Sequence, residues 1–381
     1  MRTSLLLIAL LALPSVASAT PAENGIFVNT EVMNGIFVNS GSLSSGYVTA
    51  AVFGDETIDG VRPTWEAYKP GHYLYYPHIE GTGLAGWAWE WAVGGWVWRS
   101  GEWFEGTVMP AGLYNKDTGK TETITVRIAD VTSYAEYGVG MLLHNIEVQS
   151  KDASGAETWV PMCGTYTNLF GAQSPVPAIA LRGEWSLAEY SPVGGDHISD
   201  SPYRVTFACA SGALGKCAAD CTDKGICSLL GIPNALGYKP WTPPIVGPYG
   251  TVLRDYAAEH QACTRMVRAD YCGDGHPWTA TGTQIDVYDR MGVNTAVMAG
   301  TPYWMYEATW NEDGAVRIAC ERLNGGAVTC PNYSSAPWAA IAPATTYWAC
   351  FKGDGMNDPA ARLGNLRRQT IALPPITPIH F

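Results

Sequence analysis

Residues 86–98 read GWAWEWAVGGWVW: Trp87, Trp89 and Trp91 stand two positions apart, and after the Gly94-Gly95 pair Trp96 and Trp98 repeat the spacing. Alternation with a period of two belongs to an extended strand, whose successive side chains point to opposite faces. The glycine pair reads as a hairpin turn. The stretch therefore predicts three indoles on one face of a strand and two on the same face of its partner. Such a stripe is more often a core face than an exposed one, and with Glu90 pointing the other way we expect burial. Exposed, Trp87, Trp89 and Trp91 would instead be a binding platform, stacking on sugar rings or filling an apolar partner pocket.

Working outward, TETITVRIADV (121–131) and GMLLHNIEVQS (140–150) read as longer strands, so residues 46–195 are expected to form an antiparallel sandwich or barrel. Past residue 196 the character changes. YRVTFACA (203–210) is a strand, Ser211 to Ala219 a short helix, and GYKPWTPPIVGP (237–248) a stiff proline-rich connector. TVLRDYAAEHQACTRMVRADYC carries Leu253, Tyr256, Ala257, Ala262, Cys263, Met266, Val267 and Tyr271 near the 3.6 period, which predicts a helix from about Val252 to Tyr271, stopped by Gly273, Gly275 and Pro277. TQIDVYD, MYEATW and AVRIAC then read as a strand and a hairpin. The expected fold is mainly β with a smaller α+β part: a Trp-rich antiparallel sandwich or barrel, followed by a disulfide-stapled α+β domain with one main helix.

The first nineteen residues have the grammar of a secretory signal: Arg2, an apolar run from Leu5 to Leu13, Pro14, and the small-residue site Ala17-Ser18-Ala19. Cleavage after Ala19 would deliver a secreted or periplasmic chain. NGIFVN at 24–29 recurs at 34–39, which we read as an extended leader over 20–45 laying Phe27 and Phe37 against the next domain. Two domains complete this reading, 46–195 and 196–381, since one core rarely grows to 381 residues. A formal charge of -12 makes nucleic acid and anionic lipid poor partners, and no membrane association is expected after signal removal. The partner expected is an extracellular or periplasmic ligand that the composition does not identify.

All ten cysteines lie beyond residue 160: Cys163, Cys209, Cys217, Cys221, Cys227, Cys263, Cys272, Cys320, Cys330 and Cys350. An even number in an exported chain predicts disulfides. Nine helical positions separate Cys263 from Cys272, roughly 13 Å of axis, beyond the reach of one bridge. Cys263 should therefore join the helix flank to a strand or to the Cys209–Cys217 segment, while Cys272 pins the helix end.

Three chemistries are open to this region. A thiolate at Cys263 or Cys272 with His260 as base and Asp270 or Asp274 as orienter needs a free thiol, which the even count argues against. A hydrolase site built from His260, Asp270, Asp274 and His276 needs no thiol, and Asp286 and Asp289 lie close by in sequence. The structural account has Arg265 and Arg268 tying the helix to Asp270 or Asp286, with Asp274 in a Gly-Asp-Gly turn. No metal or cofactor is expected: the spacings of Cys217, Cys221 and Cys227 do not match common zinc sites, and no phosphate-binding glycine loop is present.

HQACTRMVRADYCGDG (260–275) resembles the ADYC domain family, secreted bacterial proteins without an assigned activity. VTFACASGALGKC (205–217), GYKPW (237–241), WTATGTQIDVYD (278–289) and EATW (307–310) carry the resemblance further, over roughly 200–350. It implies no catalytic residues. The family connection before GYKPW is shorter, so AADCTDKGICSLLGIPNAL (218–236) looks like an insertion that brings its own pair, Cys221 bonded to Cys227. The function expected is a secreted binding or structural module, with the hydrolase as the alternative.

Overall fold

The computed structural model describes residues 25–27, 46–277, 284–293, 305–318 and 347–351, apart from 54–55, 116–117, 153, 169–170, 186–196, 233–234, 276 and 290. In chain order, β1 (Gly25–Phe27) and β2 (Gly46–Val52) precede a meander of β3 (Leu74–Glu80), β4 (Gly83–Glu90) and β5 (Gly95–Ser100). Then come β6 (Val108–Asn115), β7 (Lys120–Ser133), β8 (Leu142–Lys151) and β9 (Glu157–Pro161). Short strands β10 (Thr165–Thr167) and β11 (Gln173–Pro175) lead to β12 (Ala178–Arg182), β13 (Glu184–Trp185), β14 (His197–Ser199) and β15 (Arg204–Cys209). Helices α1 (Ala213–Ala218) and α2 (Lys224–Leu229) are followed by the ribbon β16 (Ile245–Val246) and β17 (Val252–Arg254) and by helix α3 (Tyr256–Arg268). A last sheet uses β18 (Gln284–Asp289), β19 (Met305–Asn311), β20 (Gly314–Ile318) and β21 (Tyr347–Phe351).

Strands β12, β15, β2, β6, β7 and β8 pair antiparallel in that order, and β12 meets β8 at Ala178 and His144, closing a six-stranded barrel. The inward residues follow the period of two. In β7 they are Ile124, Val126 and Ile128; a bulge before Asp130 then shifts the phase so that Val131 also points in. Met109, Ala111 and Leu113 from β6 and Val205 and Phe207 from β15 complete the filling. The expected boundary at 195/196 does not separate the barrel from the C-terminal half, because β15 supplies a barrel strand from beyond it. The leader also docks elsewhere than expected: β1 pairs with β18 of the last sheet, while Phe37 lies outside the described residues.

Strands β12 and β15 are buried on both faces. Ala178 and Ala180 face the barrel core, while Ile179, Leu181 and Ala208 face a second cluster made by Leu143, Leu214, Ala218 and Ile232. That second layer carries α1 and, through it, α3. Residues Glu259 to Arg268 of α3 are all buried, between α1 and strands β19, β20 and β21. The helix begins four residues later than the periodicity implies. Asp255 caps it, its Oδ1 accepting from the backbone N–H of Ala257 (2.9 Å) and Ala258 (3.2 Å), and Val252–Arg254 is taken into the ribbon. It ends at Arg268 because Ala269 adopts the left-handed conformation, φ 55°.

Three bridges fasten these layers. Cys163–Cys209 joins the segment after β9 to the end of β15, Cys217–Cys263 joins α1 to α3, and Cys221 is bonded to Cys227. Cys272 is also disulfide-bonded, and Cys320 and Cys330 lie outside the described residues. With 46 residues between its ends, Cys217–Cys263 restricts the unfolded chain by about 4 kcal/mol in the loop-entropy treatment. Replacing both cysteines by alanine should lower the unfolding free energy by about that amount in urea titrations, and an unchanged midpoint would show that the bridge is idle.

Two imidazoles are enclosed as well: His144 inside the barrel and His260 on α3, both 0% exposed. Burial pushes each from 6.5 down to about 4. Both are neutral in the native state, whereas the unfolded chain binds their protons near pH 6.5. Stability is therefore complete above about pH 6.5 and declines toward pH 4, by about 1.4 kcal/mol per pH unit for each histidine. Denaturant midpoints measured between about pH 7 and 4.5 should show this decline, and His144→Gln should remove about half of the slope.

Candidate functional site

The hairpin that opens the sequence is built as the alternation implies but faces the other way. Trp87 pairs with Trp98 and Trp89 with Trp96 across β4 and β5. The turn is the four-residue stretch Trp91 to Gly94, so Gly95 is already in β5 and Trp91 sits in the loop. The expected burial is overturned: Trp87 is 41% and Trp91 68% exposed, and Trp96 and Trp98 are also exposed. The opposite face takes the core, where Leu84 and Ala88 are buried and Leu84 joins Ile79 and Phe104 against the barrel core. Glu90 does point that way, onto Arg99 at 3.0 Å.

These rings form one connected surface. Trp87–Trp98 and Trp89–Trp96 meet edge to face at 5.4 and 5.5 Å, and Tyr75 lies 5.5 Å from Trp96. His78 lies 5.7 Å from Trp98, and Tyr76 reaches Tyr203 at 5.6 Å. The tyrosines of YLYY (73–76) are additions that alternation misses, because Tyr75 and Tyr76 are adjacent yet both exposed. The reason is local. The β3–β4 register shifts between Tyr75 and His78, and Tyr76 sits at φ 56°. Gly86 makes room for this bulge, since a Cβ there would stand 2.9 Å from Pro77 Cα. An aromatic residue held at positive φ stores backbone strain that the surroundings must maintain.

The residues expected to form a hydrolase are placed differently. His260 is buried, its Nε2 lying 2.9 Å from the Leu214 carbonyl and its ring edge-on to Trp185. Asp270 lies beyond the far end of α3, about 12 Å of helix away, and is also fully buried. Its Oδ2 accepts from Arg265 and from the Gly275 N–H at 3.1 Å. Arg268 donates to the Gly275 carbonyl at 2.8 Å and Arg265 to the Glu312 carbonyl at 3.2 Å. Asp274 is partly buried in its turn, and His276 lies outside the described residues. His260 and Asp270 thus open onto no common cleft. The thiol candidates are consumed as well, because Cys263 and Cys272 are both disulfide-bonded. Among the described residues no group of three His, Cys, Asp or Glu converges to hold a metal.

Alanine, aspartate, tyrosine and cysteine at 269–272 act as a connector. Ala269 ends the helix, Asp270 gathers Arg265 and Gly275, Tyr271 stacks on Trp310 at 5.1 Å and receives the Ala315 N–H at 2.9 Å, and Cys272 is bridged. A Cβ at Gly273 would collide with the Asp313 carbonyl, so the turn fits only glycine against the β19–β20 hairpin. Burial pushes the Asp270 carboxyl up, against the opposing pull of Arg265 and Arg268. Asp270→Ala, which strips charge from this enclosed pair, should cost about 3–5 kcal/mol by denaturant titration. A loss within experimental error would mean that the pair does not hold the connector together.

No curated protein matches the chain, and no solved structure matches it. The ADYC domain family matches residues 81–324, more than half of the chain. The match starts in the β3–β4 turn, well before residue 200, and takes in the tryptophan hairpin, most of the barrel and the connector. The chain belongs to the ADYC domain family.

Proposed function

We propose that this protein is a secreted or periplasmic binding module that holds an uncharged ligand, of the sugar-ring class, on the aromatic face of β3–β5. The observation that carries the reading is the connected surface of Tyr75, Tyr76, His78, Trp87, Trp89, Trp96 and Trp98, in which β4 and β5 contribute no charged side chain. Soluble proteins rarely expose a contiguous apolar patch without using it. Indole and phenol faces stack on the C–H faces of sugars while their N–H and O–H groups meet hydroxyls. An acidic chain, -12 overall, lends no attraction to anionic ligands. The disulfides suit the oxidising compartment that the signal-like first nineteen residues point to.

Support for the hydrolase alternative is weaker, because His260 and Asp270 are enclosed and engaged in packing and charge pairing. Tryptophan fluorescence should shift when the protein meets a neutral polysaccharide. Trp87→Ala together with Trp98→Ala should weaken retention on that polysaccharide by about tenfold or more, with the fold intact by circular dichroism. Equal retention by wild type and variant would remove the aromatic face from function.

A further inference from the structure

A second concave feature adjoins this surface. A cleft of about 620 Å3 lies between the β3–β4 turn, the β12–β14 region, the proline-rich connector and the start of α3. Its volume falls in the range of small-molecule sites, roughly 300–1,000 Å3. Trp241 gives it one aromatic wall and His197, stacked on the buried Trp185 at 4.7 Å, another, and Glu80, Arg182, Asp200 and Asp255 bring polar groups to its lining. Three of these are already oriented: the Arg182 Nε lies 3.3 Å from an Asp200 carboxyl oxygen, and Asp255 is held by the helix it caps.

The cleft and the aromatic face share strand β3. In β3, His78 belongs to the aromatic face, and Glu80, two residues on and therefore on the same side of the strand, lines the cleft. On the other flank, Tyr76 touches Tyr203, and the Ile79 N–H donates to the Pro202 carbonyl at 3.1 Å, which ties the stretch carrying Asp200 to β3. A chain-like ligand lying along the rings of β3–β5 is led past His78 into the cleft.

We propose that the cleft is the specificity subsite of this binding surface, taking the terminal units of an extended neutral oligosaccharide whose further units stack on β3–β5. The assignment rests on the aromatic face being the binding surface. The chemistry of the two parts is complementary. The face offers stacking with little polar readout, so it grips any chain of sugar rings. The cleft sets three carboxylates and one guanidinium around aromatic walls, so it can accept from and donate to the hydroxyl groups of a sugar whose C–H face rests on Trp241. The excess of carboxylates there disfavours sulfated, phosphorylated or uronic units.

The test uses the full mature protein, a graded length series of cello- and chito-oligosaccharides, and titration calorimetry. Wild type is compared with the Trp87→Ala/Trp98→Ala variant and with two cleft variants, Glu80→Ala and Trp241→Ala. Glu80 is exposed at a strand end, so its replacement leaves the fold intact even where Trp241→Ala perturbs packing. Wild-type affinity should rise with chain length. The cleft variants should lose about tenfold for every length, the equivalent of one charge-assisted hydrogen bond, whereas the face variant should lose affinity only for the longer members. Full affinity in both cleft variants with a weakened face variant would overturn the cleft assignment and leave the aromatic face standing. No oligosaccharide binding by the wild type would overturn both.

Discussion

Closure of the barrel through β12 and β15 is the constraint on which the rest of this structure depends. These two strands complete the cylinder, and they also carry a second apolar layer on their outer faces. A strand buried on both sides cannot alternate apolar with polar, and AIAL at 178–181 accordingly reads as a continuous run. Alanines recur in the two strands and just after, at Ala178, Ala180, Ala208 and Ala210, where layers on both sides approach closely. Helix α1 sits so near the end of β15 that a Cβ on Gly215 would collide with the Cys209 carbonyl. Without the outer layer these strands would expose Ile179 and Leu181; without the inner one there would be no barrel.

The fastening of helix α3 by a bridge and by the 269–272 connector is a consequence of that layering. Helix α3 meets the layer over the barrel through α1 and through the His260–Trp185 contact, and its attachment is reinforced by Cys217–Cys263 on its flank and the Asp270 cluster beyond its end. Two arginines and one carboxylate are enclosed there. Isolated, any one of them would be costly to bury, but the Gly275 and Glu312 backbone carbonyls each accept a hydrogen bond, from Arg268 and Arg265 respectively. The same carbonyls belong to the turn and hairpin that the helix must face. The charge cluster therefore fixes the position of the β19–β20 hairpin as well as the end of the helix.

Much of this is legible in the sequence, and the parts that are not share a cause. Period-two alternation locates β4, β5, β7 and β8, because alternation is a property of the strand itself. Which side of the tryptophan strand meets the core is not legible, since the answer depends on Leu84, Ala88 and Glu90 packing over the barrel, a tertiary fact. The period finds the helix, but its first turn is lost to a competing ribbon at Val252–Arg254 and a capping Asp255. That β15 belongs to the barrel is hidden because antiparallel pairing joins residues far apart in sequence. His260 and Asp270 are residue types that serve catalysis or burial equally well, and only their enclosure separates the two. Tyr75 and Tyr76 escape notice because a bulge breaks the rule that locates the other aromatic residues.

The aromatic face itself sets a physical problem, since a stable sheet does not need exposed indoles. Edge-to-face pairs across β4 and β5 do contribute to the hairpin, about 0.5–1.5 kcal/mol each beyond area burial, and that contribution would suffice for the four paired indoles. It does not account for Tyr76, which lies in a bulge that holds it at positive φ, at a cost of order 1–3 kcal/mol. Nor does it account for the absence of charged side chains on this face of β4 and β5, where a lysine or glutamate would protect the exposed edge strand β5 from pairing with another chain. A surface that holds backbone strain to widen an aromatic patch, and keeps charge off the face its two tryptophan strands share, has the physical character that the binding role proposed for it requires.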